Sequence, residues 1–246
     1  MAKNNPGDLL HCDWNPVIGC ERFSVGCRKC WYIEGIFPWQ KRVGNIPDHV
    51  KPSDVHVFPN RLSPPYLKTK RGVIGVCQHG DLFWEKIPDS TIHSVLDIID
   101  EIAPKYPDNR YVLWTKRAHR MARFLNARYP HGLPSYYACS VSIENQTIAD
   151  DRIPELIKIP SLRIAMMEPM LGPIDISSYM RSIDWVVVGS ETGKDATPIN
   201  LQWVIDVRDY TKAAGKPFFI KQLGTSHKKP VRTLQGRTWD ERPAGY

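Results

Sequence analysis

Short apolar runs recur along the chain at intervals that suit a series of buried strands. Each run is about as long as a buried strand and is rich in Val, Ile, Tyr, Phe or Trp. Between the runs, apolar residues follow helical spacing, as they do in Ser90–Ala103. Weaker patterns indicate a strand around Asp8–Cys12 and a helix over Cys30–Arg42, which Pro38 interrupts. The predicted strands are Val73–Cys77, Arg110–Trp114, Tyr136–Val141, Leu162–Met167, Trp185–Val188 and Pro217–Ile220, and the other predicted helices are Ala118–Arg128, Asn145–Ile157 and Leu201–Ala214.

The alternation of strands and helices predicts the fold class. Strands that alternate with helices form parallel sheets built from βαβ units. Six or seven such units predict an α/β protein whose single domain, residues 1–246, is a full or partial (β/α) barrel. A doubly wound open sheet is the rival, but the G-x-G-x-x-G turn of its dinucleotide-binding version is absent from the sequence. Residues 41–70 are irregular and rich in proline, and we expect a long connection there.

Polar side chains gather directly after the predicted strands. In parallel barrels and open α/β sheets, the carboxyl ends of the strands build the active site. Helix caps and ordinary loop polarity would also place polar residues there, but six successive strands follow the pattern. We therefore expect a site at this end of the sheet. The residues concerned are Asp81, Thr115, Lys116, Arg117, Ser142, Glu144, Asn145, Glu168, Ser190, Glu191, Lys221 and Gln222.

The net charge and the apolar segments of the sequence bear on the protein's partners and on its cellular compartment. Lysine and arginine number 33 against 26 aspartates and glutamates, a formal net charge of +7. This excess suits a polyanionic partner such as DNA or RNA, although a solvated basic surface explains it equally simply. The first ten residues lack the apolar run of a signal peptide, and no run of about 18 apolar residues could span a membrane. We therefore expect a cytoplasmic protein. The densest basic groups are Lys68 to Arg71, Lys116 to Arg123, and Lys228, Lys229 and Arg232.

Cysteine spacing is the strongest chemical signal. In a reducing compartment, clustered cysteines bind metal or do chemistry more often than they form disulfides. Cys27 and Cys30 form a C-x-x-C pair, and Cys20 precedes them by seven residues. Three thiolates could hold an iron–sulfur cluster with one open iron. Alternatively, a structural zinc ion could use the three with Cys12 or His11 as its fourth ligand. Spacing alone leaves both possibilities open, whereas Cys77 and Cys139 lie within apolar strands and are expected in the core.

Ordered motifs over nearly the whole chain resemble a known family. They are W-N-P-V-I-G-C-E-R-F-S-V-G-C-R-K-C-W-Y (14–32), G-D-L-F-W-E-K-I-P (80–88), L-W-T-K-R (113–117), S-I-E-N-Q (142–146), E-P-M-L-G-P-I-D (168–175), D-W-V-V-V-G-S-E-T-G (184–193) and F-F-I-K-Q-L-G (218–224). Together they look like a phage and bacterial family of radical-SAM-type proteins. The resemblance implies a radical-SAM type of barrel that binds a [4Fe–4S] cluster and S-adenosyl-L-methionine, with Cys20, Cys27 and Cys30 as the cluster ligands.

Two departures from the common radical-SAM pattern stand in the cysteine motif. The cysteines are spaced C-x6-C-x2-C rather than C-x3-C-x2-C, and Lys29 occupies the position before the third cysteine where an aromatic residue is usual. Cys12 lies outside the matched motif and is left out of the ligand set. Carboxylates can accept hydrogen bonds from ribose hydroxyls and pair with an ammonium group. The candidates for S-adenosylmethionine binding are therefore Asp81, Glu144, Glu168 and Glu191.

The resemblance also suggests a substrate. Some phage proteins of this kind act in pathways that hypermodify thymidine in viral DNA, a means of evading host restriction. Similarity to them implies an isomerase that moves a glycyl group from nitrogen to carbon linkage on the thymine methyl carbon. It would act in the host cytoplasm and need an electron donor. Lys116, Arg117 and Lys221 would be the DNA phosphate contacts. The alternatives are a radical-SAM enzyme that acts on RNA, protein or a small molecule, and a zinc-stabilised nucleic-acid-binding protein without catalysis.

Overall fold

A computed structural model describes residues 8–193, 195–226 and 231–246. Its centre is a parallel sheet of seven strands in the order β1-β4-β5-β6-β7-β8-β9. These strands are β1 (Cys12–Trp14), β4 (Val73–Val76), β5 (Arg110–Thr115), β6 (Tyr137–Ser142), β7 (Leu162–Met167), β8 (Trp185–Gly189) and β9 (Phe218–Gln222). Two small antiparallel pairs complete the strands, β2 (Val17–Ile18) with β3 (His56–Val57) and β10 (Thr233–Leu234) with β11 (Arg237–Thr238).

Four long helices alternate with the strands of the sheet. They are α3 (Asp89–Ile102), α4 (Ala118–Arg128), α5 (Gln146–Ile157) and α6 (Leu201–Ala213), and they confirm the predicted helices to within a residue or two at each end. Shorter helical segments are α1 (Phe37–Arg42), α2 (Pro64–Leu67), a π-helical turn at Tyr32–Ile36 and single 3₁₀ turns at Val25–Cys27, Ala103–Lys105 and Ser177–Tyr179. None of the helices in the described part of the chain is long and apolar enough to cross a membrane.

The strand order gives a partial barrel rather than a doubly wound sheet. Spatial order follows chain order from β4 to β9 without reversal. Since parallel crossovers are right-handed, an unreversed order places the successive helices on the same face of the sheet. In the described residues β1 and β9 are the two edges of the sheet, so it curves as a half barrel and does not close. The α/β class and the partial barrel are therefore confirmed.

Alternation along the strands builds two cores. Leu113, Val141 and Val188 point outward into the large core under the helices. On the same strands, Val112 and Val187 belong to a smaller cluster on the inner face. This period-two pattern is what buried parallel strands require, because each strand is covered on both faces. It leaves the carboxyl ends of the strands as the place where polar side chains collect.

The C-terminal segment packs along the open edge of the barrel beside β9. Phe219 forms an isolated bridge with Asp240, and the Trp185 indole donates to the Glu241 carbonyl at 3.0 Å. Arg242 donates to the carbonyl oxygens of Leu9, at 3.2 Å, and Asp8. The C-terminal segment thereby connects the residues just before β1, at one edge of the sheet, with β8 and β9 at the other edge.

The irregular connection predicted at about 41–70 supports the cysteine segment from behind. Within it lie β3 and α2, and β3 pairs with β2 just before the first cysteine of the motif. The Cys20 amide donates to the Pro52 carbonyl at 2.9 Å. Gly19 has a φ of +125°, and a Cβ there would lie 2.5 Å from the Asp54 carbonyl oxygen. The connection therefore fixes the path of the chain into Cys20.

Two weak predictions needed adjustment. The first strand begins at Cys12, at the end of the predicted range, and runs to Trp14. The predicted helix at Cys30–Arg42 is present, and Pro38 does not break it because a π-helical turn precedes it.

Lys228 and Lys229 of the basic group near the C-terminus lie outside the described residues.

Candidate functional site

A cavity of about 190 Å³ lies at the carboxyl ends of the parallel strands. Its walls come from the cysteine segment and from residues at or just after the carboxyl ends of β4, β5, β6, β7, β8 and β9. Side chains that the sequence pattern placed at strand ends thus meet around one space. The lining includes Cys20, Cys27, Cys30, Asp81, Lys116, Arg117, Glu168, Glu191 and Lys221, and among the predicted candidates Glu144 does not line it.

The three motif cysteines lie on one wall of this cavity. Cys27 closes a 3₁₀ turn and is buried, while Cys20 and Cys30 are partly exposed. Cys12 is on β1, where it packs against the outer core and its thiol faces the Arg71 carbonyl at 3.5 Å. The structure therefore brings together Cys20, Cys27 and Cys30 and separates Cys12 from them.

Each of the three sulfurs has a hydrogen-bonding group beside it. Arg117 Nη1 lies 3.8 Å from Cys20 Sγ, and Ser24 Oγ lies 3.8 Å from Cys27 Sγ. The backbone amides of Tyr32 and Ile33 face the Cys30 sulfur at the start of a helix. The donors beside Cys20 and Cys30 would stabilise thiolates there, whereas the Ser24 hydroxyl donates its proton to Glu144 and accepts from the Cys27 thiol. The donor set suits soft-metal ligation, which is the chemistry expected of an iron–sulfur site.

Burial keeps the thiols of Cys20 and Cys30 protonated until a metal replaces the proton. Burial, together with Asp81 and the other two cysteines, raises the pKa of Cys20 to about 12, although Arg117 opposes the shift. Burial also raises the pKa of Cys30, against the effect of the neighbouring backbone amides. Binding of a metal would release these protons, because a metal ligand must be a thiolate.

Glu144 is a buried support for the cysteine loop. Its side chain is fully buried and accepts hydrogen bonds from Ser24 and from Arg152 of α5, the latter at 3.1 Å. Lys116 Nζ lies 3.2 Å from the same carboxylate. A Cβ on Gly26 would approach Glu144 Cγ to 2.6 Å, so only glycine allows the loop to lie this close. Glu144 therefore anchors the loop to the barrel instead of facing the cavity.

Asp81 and Arg117 form a second buried pair. Asp81 accepts from the Thr115 hydroxyl at 2.6 Å and from the backbone amides of Phe83 and Lys116 at 3.0 Å. Arg117 Nη1 lies 3.4 Å from Asp81, and the Arg117 side chain is only 3% exposed. Both oxygens of Asp81 are thus engaged within the protein. Arg117 faces Cys20 and not the surface, which does not place it where a DNA phosphate would lie.

Glu168 and Glu191 line the cavity together with Asp81, whose oxygens are engaged within the protein. Glu168 accepts from Lys221 Nζ and Gln222 Nε2, both at 2.7 Å, and is partly exposed. Glu191 accepts from the Thr197 amide at 2.8 Å and lies 3.4 Å from Lys29 Nζ. Lys29 also donates to the Asp195 carbonyl, so it bridges the cysteine loop and the loop after β8. Lys221 is paired with Glu168 and about 40% exposed.

Several lining residues carry no charge and were not picked out as candidates. Trp114 and Met166 contribute inner-face side chains, and Trp31 and Tyr32 follow the last cysteine. The Trp114 indole N–H is buried without a hydrogen-bond partner among the described residues. Alternation along β5 and β7 could have indicated that Trp114 and Met166 face inward, because Val112 and Ile164 two residues earlier do so. The cavity thus combines an apolar inner wall with a polar rim.

Among residues 8–193, 195–226 and 231–246, no three His, Cys, Asp or Glu side chains are arranged to hold a metal ion.

Comparison with known proteins places the chain in a family. The sequence profile of a family described as "Protein of unknown function (DUF5131)" matches residues 8–243. The chain belongs to the DUF5131 family. Searches of curated proteins and of solved structures find no significant match. Membership covers the whole sheet and the cavity, so the cysteine loop and the strand-end residues all fall within the family's extent.

Proposed function

We propose that this DUF5131 protein is a radical S-adenosylmethionine enzyme. One observation carries the proposal: Cys20, Cys27 and Cys30 share a wall of the cavity at the carboxyl end of a parallel half barrel. Three thiolates could each bind one iron of a [4Fe–4S] cluster, and donors beside Cys20 and Cys30 would stabilise two of them. Such a cluster and S-adenosylmethionine supply one-electron chemistry that removes a hydrogen atom from an unactivated carbon.

The protein's own residues would hold and orient these groups. Glu168 and Glu191 are the carboxylates within reach of a bound cofactor, where one could pair with the methionine ammonium and the other accept from ribose hydroxyls. Lys116 and Arg117 bring positive charge to the thiolate wall. Trp114 and Met166 would exclude water from the inner end of the cavity. Asp81 and Glu144 would act indirectly, because Asp81 holds the loop after β5 and Glu144 holds the cysteine loop.

For the substrate, we propose glycyl-modified thymidine in phage DNA, rearranged from nitrogen to carbon linkage. This follows the motif resemblance and the formal net charge of +7, which suits a DNA substrate. Among the predicted phosphate contacts Arg117 is only 3% exposed, so Lys221 and, less exposed, Lys116 would be the cations that meet a phosphate. An electron donor is required to reduce the cluster.

The test is metal analysis of cysteine variants purified without oxygen. The wild-type protein should contain close to four irons and four acid-labile sulfides per chain. Cys20→Ala, Cys27→Ala and Cys30→Ala should each lose most of this iron, because each removes the ligand of one iron. Cys12→Ala is the matched control and should retain it. A colourless protein with one zinc per chain, or equal dependence on Cys12, would replace the proposal with a zinc-stabilised binding protein.

A further inference from the structure

Two tryptophans stand out from the helix that follows the cysteine motif. Trp31 is 45% exposed and Trp39 is 46% exposed, whereas Tyr32, Phe37 and Gln40 of the same helix are buried. The helix runs from Trp31 to Arg42 and begins with the π-helical turn at Tyr32–Ile36. A π turn holds more residues than an α turn, so it rotates Trp31 toward the face that carries Trp39. Large exposed aromatic side chains on one face mark an interaction site.

Unpaired cations accompany the tryptophans. Arg28 precedes the helix by three residues, Arg42 is its last residue, and both are exposed. Within the part of the chain that the structure describes, neither guanidinium has an ion pair, hydrogen bond or ring contact. Glu34, the acidic residue on the exposed side, is already paired with Arg22 at 2.8 Å. The surface formed by Arg28, Trp31, Trp39 and Arg42 is therefore positive and aromatic, and we call it the tryptophan face.

The tryptophan face is continuous with the cavity. Lys29, Cys30 and Trp31 all line the cavity, and Trp31 is exposed to solvent as well. Its ring makes T-shaped contacts with His79, at a centroid distance of 5.9 Å, and with Tyr32, at 6.4 Å, and Trp31 nevertheless stays 45% exposed. Trp31 and Trp39 are eight residues apart, which is about 12 Å along a helix. A chain of stacked or extended bases could contact both rings and enter the cavity.

We propose that the tryptophan face binds an unpaired nucleic-acid strand and leads it into the cavity. Aromatic rings stack on base faces, and cations track the phosphates, which is how single strands are bound without sequence preference. A duplex hides its base faces, and an enzyme that modifies a base must reach it outside the stack. The inference rests on the proposed function for its substrate class, and it adds where and in which form the DNA is bound.

Binding to labelled oligonucleotides tests the proposal with the full-length protein. A fluorescein-labelled 20-nucleotide single strand should bind more tightly than a duplex of the same length. Trp31→Ala and Trp39→Ala should each weaken single-strand binding by about tenfold, in line with about 1–3 kcal/mol per stacked base. Trp39→Phe should restore most of the affinity, because phenylalanine still stacks. Leu201→Ala is the matched control, since Leu201 is equally exposed but lies on α6.

Salt dependence tests the cations. Arg28→Ala and Arg42→Ala should each reduce the slope of log affinity against log salt by about 0.7, the value for a single-strand phosphate contact. Single-strand affinity that is unchanged in the tryptophan variants would overturn the proposal. So would a Trp39→Ala protein that binds DNA normally but is reduced more slowly by a flavodoxin-type donor, because the face would then bind a protein partner.

The outcomes separate this inference from the proposed function. Oligonucleotide binding needs no cluster. Tryptophan-dependent binding by a protein that contains no iron even when purified without oxygen would support the tryptophan face as a binding surface and contradict the proposed enzyme. Iron-loaded protein that cleaves S-adenosylmethionine but does not bind the single strand would support the proposed enzyme and contradict the role of the tryptophan face. Trp39→Ala lies outside the cavity lining and should cleave S-adenosylmethionine at the wild-type rate without substrate.

Discussion

Glu144 follows a strand, as an active-site carboxylate would, yet its surroundings make it structural. Its oxygens are occupied by Ser24 and Arg152, with Lys116 close by, and its side chain is fully buried. The position of Glu144 after β6 could be predicted from the sequence. The contact with Ser24 could not, because the two residues are 120 positions apart. Burial and long-range partners thus decide which strand-end carboxylates face a ligand.

Removing the charge of Glu144 should therefore destabilise the fold. Glu144→Gln leaves Arg152 buried without its counter-charge, which should lower the free energy of unfolding by about 3 kcal/mol. Urea denaturation of the metal-free protein measures this. Glu101→Gln breaks an exposed pair with Lys105 and should cost less than about 1 kcal/mol. Equal effects of the two variants would contradict the anchoring role of Glu144.

Glu168 should behave differently, since it lines the cavity. Glu168→Gln should weaken S-adenosylmethionine binding about tenfold or more, the cost of losing a charged hydrogen-bond partner. The absorption spectrum of the cluster should stay the same, because no cysteine is touched. Calorimetric titration of the iron-loaded protein gives the affinity, with Glu101→Gln as control. Wild-type affinity in Glu168→Gln would remove Glu168 from the cofactor site.

His79 predicts a loss of stability in acid. Burial, with a smaller effect from Arg61, lowers the pKa of His79 to about 4, and its Nδ1 lies 3.1 Å from Gln40 Nε2. The unfolded chain binds this proton near the ordinary histidine pKa of 6.5, whereas in the folded protein the pKa is about 4. The unfolded state therefore binds more protons between these values, and stability is lost as pH falls from about 6.5 to about 4.

The contribution of His79 can be isolated by substitution. The free energy of unfolding of wild type should fall more steeply over this pH range than that of His79→Gln, which has no titrating group at this position. The difference should amount to about 2–3 kcal/mol at the acid end. His131→Gln changes an exposed histidine and should leave the pH profile as in wild type. Parallel profiles for wild type and His79→Gln would show that His79 titrates normally.

At the scale of elements, the strands and long helices were predictable and the supports of the cysteine loop were not. Buried parallel strands are continuous apolar runs, and amphipathic helices have a clear period, so both can be read locally. The helix at 31–42 was weakly marked, because its π turn obeys neither period. The connection at 41–70 is irregular, yet it holds Cys20 through Pro52 and Asp54. Such support depends on tertiary contacts and leaves no local pattern.

Gly19 tests whether this connection positions the first cysteine. Gly19→Ala would force a Cβ against the Asp54 carbonyl and should reduce iron per chain by displacing Cys20. Gly44→Ala is the matched control, because Gly44 also has a positive φ, of +75°, but has no atom within 4 Å of the added Cβ. Both variants carry the strain of a positive φ, which is greater at +125° than at +75°, and only Gly19→Ala adds a clash with the backbone. Iron and sulfide analysis should show loss in Gly19→Ala alone, and equal loss in both would point to strain.

At the scale of the molecule, the sequence predicted a full or partial barrel, and the open edge between β1 and β9 settles the choice. The C-terminal segment covers part of this edge through contacts with Asp8, Leu9 and Trp185. Whether strands close depends on curvature and register, which apolar runs do not encode. The cavity nevertheless lies where unreversed parallel strands put it, at their carboxyl ends.

Cleavage of S-adenosylmethionine tests the central claim most directly. Iron-loaded protein, incubated without oxygen with dithionite and S-adenosylmethionine, should release 5′-deoxyadenosine and methionine in equal amounts, measured by liquid chromatography and mass spectrometry. Cys30→Ala should release neither, and Cys12→Ala should match wild type. A protein that holds four irons per chain yet forms no 5′-deoxyadenosine would contradict the assignment as a radical S-adenosylmethionine enzyme.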